Sequence, residues 1–208
     1  MLFVLTGDIQ TGKSRWLERL VSDLGRHGVR CAGVVAPGVW RPCVRQPPEA
    51  RAVGAAPGDP YEKLGIDNVM LPEGTRVRFA DRRDLAQRRT DVSHGMGWMF
   101  YPDAIARVND HFATLCAQAE AGAPSAGAPG FLVVDELGRL ELLRGEGLTQ
   151  AVAFLDQGPT ECWPHALVVV RDTLKDRAVE RFAPAWRDVT AIAPTDESRR
   201  RIRALYSQ

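Results

Sequence analysis

The chain has 208 residues, enough for one domain that buries its own core without disulfide or metal staples. Its 27 basic residues nearly balance its 26 acidic ones, which argues against a dedicated nucleic-acid binder, and 45% hydrophobic with 25% charged residues excludes global disorder. No apolar stretch approaches the roughly 20 residues a membrane-spanning helix needs, and the apolar start at 1–5 lacks the basic segment of a usual signal peptide, so a cytoplasmic protein without membrane contact is expected.

The run 2–6 is apolar and ends at Gly7, which predicts a first strand. From 13 to 27 the pattern turns helical: Trp16, Leu17, Leu20, Val21 and Leu24 share one face, and Gly28 follows as a stop. The segment 29–36 reads as a second strand closed by Pro37 and Gly38. Strand, glycine turn, helix and strand in this order form the repeating unit of an α/β fold. Residues 42–60 are rich in Pro, Gly and Ala and read as an exposed loop or insertion. Short irregular strands and turns are predicted over 61–100, with an arginine-rich patch at Arg76, Arg78, Arg82, Arg83, Arg88 and Arg89.

Pro102 opens an amphipathic helix with Ile105, Val108, Phe112, Leu115 and Cys116 on one face, running to about 121. A low-complexity surface linker occupies 122–130. The run 131–135 has the continuous apolar character of a strand buried on both faces. A helix at 146–156, a strand at 166–170, a helix at 174–182, a strand at 188–192 and a helix at 195–206 complete the alternation. The expectation is a single α/β domain over 1–208, with a mostly parallel sheet, helices on both faces and an irregular insertion after the second strand.

Cys31, Cys43, Cys116 and Cys162 show no zinc spacing and read as reduced structural thiols; the histidines show no metal pattern either. Only Lys13, Lys63 and Lys175 among the basic residues are lysines, so a lysine at a meaningful spacing carries extra weight.

Gly7, Asp8, Ile9, Gln10, Thr11, Gly12, Lys13 and Ser14 fit the pattern G-x-x-x-x-G-K-[ST] without mismatch. From composition alone the string arises by chance in on the order of one such chain in 500. A turn of this length between a strand and a helix can point its backbone N–H groups inward at a phosphate. Lys13 adds a cation, and the helix N-terminus adds its positive dipole end. Ser14 offers a hydroxyl where Mg²⁺ accompanies a polyphosphate.

Asp135 and Glu136 end the apolar run at 131–134. Acids at such a strand end face the crevice where open α/β sheets bind ligands. The first of the pair suits a metal-holding role, and the second is placed to take a proton from an attacking water. A glutamate beside the metal aspartate favours hydrolysis over transfer to a second substrate.

Together with 33–36, the strings at 7–14 and Asp135-Glu136-Leu137-Gly138-Arg139-Leu140-Glu141-Leu142 resemble the small bacterial and archaeal P-loop nucleoside-triphosphatases, a family that includes the human cancer-related nucleoside-triphosphatase. The second string is similar to that family's D-E-I-G-x-M-E-L. The likeness covers roughly 1–40 and 130–200, whereas 41–100 departs from the pattern. It implies a RecA-like P-loop fold and Mg²⁺-dependent hydrolysis of ATP, GTP or other nucleoside triphosphates to diphosphates, with broad base tolerance. Lys13, Ser14, Asp135 and Glu136 carry over to phosphate, metal and water, and Arg139 to a position that in the family is often basic. Arg139 then has two readings: a contact to the terminal phosphate or a neighbouring subunit, or a structural ion pair.

Arg171 follows the strand at 166–170 and lies on the same edge of the sheet, where it could approach a phosphate or base, or pair with Asp172 or a neighbour. The arginines at 76–89 read either as a lid over the nucleotide or as a solvated charged face. Trp98, Phe100 and Tyr101 read either as packing under a base or as core anchors. Two other functions stay open: a small-molecule or nucleotide kinase with its acceptor bound by 41–100, and a nucleotide-dependent accessory protein, similar to those of molybdopterin-guanine-dinucleotide synthesis, acting on a protein partner.

Overall fold

In the computed structural model, which describes residues 1–7, 11–42, 61–85, 97–121 and 129–207, strands and helices alternate much as the apolar periodicity predicts. The first half contains β1 (Leu2–Leu5), α1 (Lys13–Arg26), β2 (Cys31–Val35), β3 (Gly38–Pro42), β4 (Tyr61–Leu71), β5 (Thr75–Arg82), β6 (Trp98–Phe100) and α2 (Pro102–Glu120). The second half contains β7 (Phe131–Leu137), a π-helical turn (Leu140–Arg144), α3 (Thr149–Gln157), β8 (His165–Val170), a short 3₁₀ turn (Asp172–Leu174), α4 (Lys175–Phe182), β9 (Val189–Ile192) and α5 (Asp196–Ala204).

Among the described residues the strands form one sheet in the order β6-β5-β4-β2-β7-β8-β1-β9, with β3 paired to β4. The pairs β2–β7, β7–β8, β8–β1 and β1–β9 are all parallel. Alternate residues of these strands feed two cores. Phe3, Leu5, Phe131, Val133, Leu167 and Val169 pack with Trp16, Leu17, Leu20 and Leu24 of α1 and Ile202 of α5. Leu2, Val4, Leu132, Val134, Ala166 and Val168 pack with α2, α3 and α4 on the other face. Each such side chain taken fully out of water contributes about 1.5–3 kcal/mol, so burial on both faces is what holds these strands in place.

Local signals set the helix ends. α1 stops at Gly28, whose φ of 77° few other residues tolerate, and Val29 N–H donates back to Leu24 O at 3.0 Å. Pro102 occupies the first turn of α2, where its missing N–H costs nothing. Thr195 caps α5 by accepting from Ser198 N–H at 3.2 Å, with Asp196 and Glu197 in the first turn and Arg201 and Arg203 in the last.

The segment after β2 corrects the expected fold. Its described residues are regular strands: β4 runs 11 residues and β5 runs 8, and β2–β4, β3–β4, β4–β5 and β5–β6 are all antiparallel, while 43–60 and 86–96 lie outside the described residues. The sheet is therefore parallel on one side of β2 and antiparallel on the other. Charged cross-strand contacts hold the second half. Asp67 on β4 accepts from Arg76 and Arg78 on β5 at 3.1 and 2.9 Å. Glu62 accepts from Arg41 of β3 and from the buried Arg82 of β5, at 2.5 and 2.8 Å. The arginines expected as a lid or a solvated face are thus partly sheet cement; Arg88 and Arg89 lie outside the described residues.

Candidate functional site

Gly7 leaves β1 with a φ of 146°, and Gly12 precedes α1 with a φ of 80°. Both values fall where a side chain is disfavoured, so the two glycines shape the turn at both of its ends. Lys13 Nζ donates to Gly7 O at 2.7 Å, so the lysine reaches back across the turn it terminates. Asp8, Ile9 and Gln10, at the crest of the predicted phosphate cradle, lie outside the described residues. Thr11 and Gly12 are exposed, and Lys13 and Ser14 are half-buried at the first turn of α1.

Asp135 stands on β7 and is only 1% exposed. Its Oδ2 accepts from Ala36 N–H, just past β2, at 2.9 Å, and its carboxylate is hydrogen-bonded to the Ser14 hydroxyl. Burial pushes its pKa up to about 6; the bonds from Ala36 and Ser14 oppose that rise, and the neighbouring Glu136 adds to it. Glu136 is different. The β7–β8 register shifts between Asp135 and Leu137, and Glu136 is half-exposed at that irregularity. Its Oε1 accepts from Arg171 Nε at 3.1 Å. The ion-pair reading of Arg171 is therefore the one observed, with Glu136 rather than Asp172 as partner. Asp172 instead accepts from the Thr6 hydroxyl at 3.3 Å.

Arg139 is exposed just before the π-helical turn, with no ion pair to a described residue. Two residues on, Glu141 is buried. Its carboxylate accepts from Gly138 N–H at 2.8 Å and Leu148 N–H at 3.2 Å. Burial raises its pKa, partly offset by those N–H groups. Glu141 therefore braces the chain that follows the acidic pair. Its appearance in the family-like string is explained by this bracing.

Sequence reasoning missed Lys63. It sits on β4, and its ammonium lies 5.3 Å from the Trp98 ring centroid and 6.0 Å from that of Trp40. Glu136 and Asp135 attract it and Arg171 repels it, while burial lowers its pKa. The available signal was composition: it is one of three lysines in an arginine-rich chain. Of the aromatic cluster, Trp98 lies beside Lys63, Phe100 packs edge-on to Phe79, and Tyr101 donates to Asp81 at 2.5 Å.

No family model matches the chain, and no curated protein matches it by sequence. Among solved structures it is similar to the solution structure of a human cancer-related nucleoside triphosphatase. The two are 18% identical with a TM-score of 0.55, over 96% of this chain and 92% of that one. The chain shares that protein's fold.

The residues gathered at this edge of the sheet suit a hard cation. Ser14 and Asp135 present a hydroxyl and a carboxylate in mutual contact, both oxygen donors, and the carboxylate is buried where a positive charge would stabilise it. Among the described residues no cluster of three His, Cys, Asp or Glu could cage a metal alone. Mg²⁺ typically takes one or two protein oxygens and completes its shell with water and phosphate. No helix among the described residues is long and apolar enough to cross a membrane.

Proposed function

We propose that this protein is a Mg²⁺-dependent nucleoside-triphosphatase, cleaving ATP, GTP and related triphosphates to diphosphate and phosphate with broad base tolerance. The observation that carries the reading is the hydrogen bond between Ser14 and Asp135, which joins the glycine-flanked turn to the acidic strand end. Binding begins at that turn. Its backbone N–H groups and the positive end of α1 meet the phosphates, and Lys13 exchanges the Gly7 carbonyl for a phosphate oxygen. Ser14 and Asp135 would hold Mg²⁺, which would supply positive charge to the phosphate oxygens. Asp135, almost wholly buried, has no access to bulk water. Glu136 has that access, and its tie to Arg171 fixes where its carboxylate points. Glu136 therefore orients the attacking water and accepts its proton. Arg171 and Arg139 stand ready to meet the terminal phosphate as its charge grows.

The test is phosphate release from ATP, GTP, CTP and UTP, with and without Mg²⁺, by the wild type and by Glu136→Gln. The variant is expected to bind nucleotide and to hydrolyse it about 10²–10⁴-fold more slowly. Release at the wild-type rate would remove Glu136 from the chemistry. Phosphate transfer only to an added alcohol or nucleotide would replace hydrolysis with a kinase reaction.

A further inference from the structure

The antiparallel half of the sheet brings its own lysine to the acidic edge. β2 pairs with β4 through Val35↔Val69, so residues 61–68 run on past the end of β2 where Ala36 meets Asp135. β3 runs on in the direction of β2 along this overhang, and Trp40 pairs with Lys63 in register, so the two side chains share a face. Trp98 of β6 closes on the same ammonium at 5.3 Å. Gly38 makes the arrangement possible. A Cβ there would fall 2.8 Å from Lys63 Cε and 2.5 Å from Trp40 Nε1, so the lysine stem and the indole lie flat against bare backbone.

These contacts position a charge without cancelling it. Ring faces attract an ammonium without accepting its proton. Among the described residues no carboxylate lies within 4.0 Å of Lys63 Nζ, although Asp135 and Glu136 are near enough to attract it. A lysine serving only as a counter-ion would close that gap. This one lies beside two tryptophan rings instead.

We propose that Lys63 is a catalytic cation that contacts the terminal phosphate of the bound nucleotide and stabilises the charge that builds on its oxygens during transfer. The proposal rests on the nucleoside-triphosphatase reading above. The chain then supplies from its own antiparallel half a cation that other phosphoryl-transfer enzymes take from a partner. Because the stem is already packed between indoles, little motion is left to freeze as the reaction proceeds.

The experiment compares binding of MgADP with binding of MgADP plus aluminium fluoride, which mimics the phosphoryl group in flight. Wild type, Lys63→Met and Lys63→Arg are titrated calorimetrically, with steady-state hydrolysis alongside. Wild type is expected to bind the fluoride complex at least about 10²-fold more tightly than MgADP. Lys63→Met should keep its MgADP affinity and lose about tenfold or more of that increment. Its kcat should fall about 10–10³-fold with KM nearly unchanged, and Lys63→Arg should recover part of both. If Lys63→Met does not keep the wild-type circular dichroism, Lys63→Gln takes its place in the same titration. A variant that retains the full increment overturns the role of Lys63 and leaves hydrolysis standing. A wild type that binds neither MgADP nor its fluoride complex overturns the nucleoside-triphosphatase reading, and Lys63 with it.

Discussion

In the parallel half, β1 places Leu2, Phe3, Val4 and Leu5 in succession, none of them exposed to solvent. In the antiparallel half, β4 carries Glu62, Lys63, Asp67 and Asn68 among its apolar residues. The first half is held by burial on both faces, where truncating one large side chain costs about 2–5 kcal/mol. The second buries Met70, Val77, Phe79 and Ala80 but adds charged pairs between its strands, and it tolerates a polar interior: Asn68 is 1% exposed, yet its amide has no protein partner among the described residues. The difference shows where each half can change. A strand fixed by apolar packing resists substitution, whereas one fixed by ion pairs can reposition a cation such as Lys63 without rebuilding a core.

The strand shared by both halves is where the comparison breaks most sharply. Gly33 on β2 pairs with Val133 on one side and Leu71 on the other, at a φ of 107°. A Cβ there would lie 2.0 Å from Val133 O, in backbone that cannot swing aside. Gly33→Ala is expected to cost on the order of 4 kcal/mol, combining strain with overpacking, or to prevent folding. Urea unfolding followed by tryptophan fluorescence measures it, and a loss below about 1 kcal/mol would mean that the halves join more loosely than the register indicates.

Within the antiparallel half the next largest effect belongs to Arg82, whose side chain is 3% exposed between Glu62 and the more exposed Asp84. Arg82→Ala leaves Glu62 buried with Arg41 as its remaining partner, and about 3 kcal/mol should be lost. Replacing both partners, Arg82→Met with Glu62→Leu, should restore more than half of that, because apolar packing substitutes well for a buried pair. If the double variant is no better than the single one, the network fixes the geometry of β4 and not merely its stability.

The same contrast explains what the sequence made legible. The runs at 2–5, 131–134 and 166–170 are apolar because both faces are covered, and that pattern survives in one dimension. The glycine-flanked turn at 7–14 and the acids at 135–136 are local strings, so they could be read without knowing the fold. β4 and β5 could not be read this way. Several of their charged residues pair across strands, as Asp67 does with Arg76 and Arg78, and nothing local marks those pairings. Lys63 was invisible for the same reason: its approach to the acidic edge depends on β4 pairing with β2 and then with β3, which no local pattern marks. Arg171 could be assigned to the correct edge of the sheet, but its partner Glu136 lies on a neighbouring strand, and that pairing required the register.

The smallest expected effect lies at the site itself and has the opposite sign. Burial raises the Asp135 pKa to about 6, so the folded chain holds this proton more tightly than the unfolded chain does. Stability from this group is therefore greatest below the ordinary carboxyl range, declines as pH rises toward 6, and stays reduced above it. Asp135→Asn removes the buried charge and keeps an oxygen to accept from Ala36 N–H. In EDTA at pH 7.5 the variant should be more stable than the wild type by about 1 kcal/mol, a rise of roughly 3 °C in Tm. The gain should shrink toward pH 4 and vanish near pH 3, where the wild-type carboxyl is mostly protonated in both states. Adding MgADP should then reverse the order, since a ligand that binds only the folded wild type stabilises it in proportion to the logarithm of its concentration. Calorimetric scans in the two buffers decide it. A variant less stable than the wild type in EDTA would mean that Asp135 is kept for its hydrogen bonds to Ala36 and Ser14. The expected order would mean that the parallel half carries an unfavourable charge at its centre, tolerated because a cation is bound there during turnover.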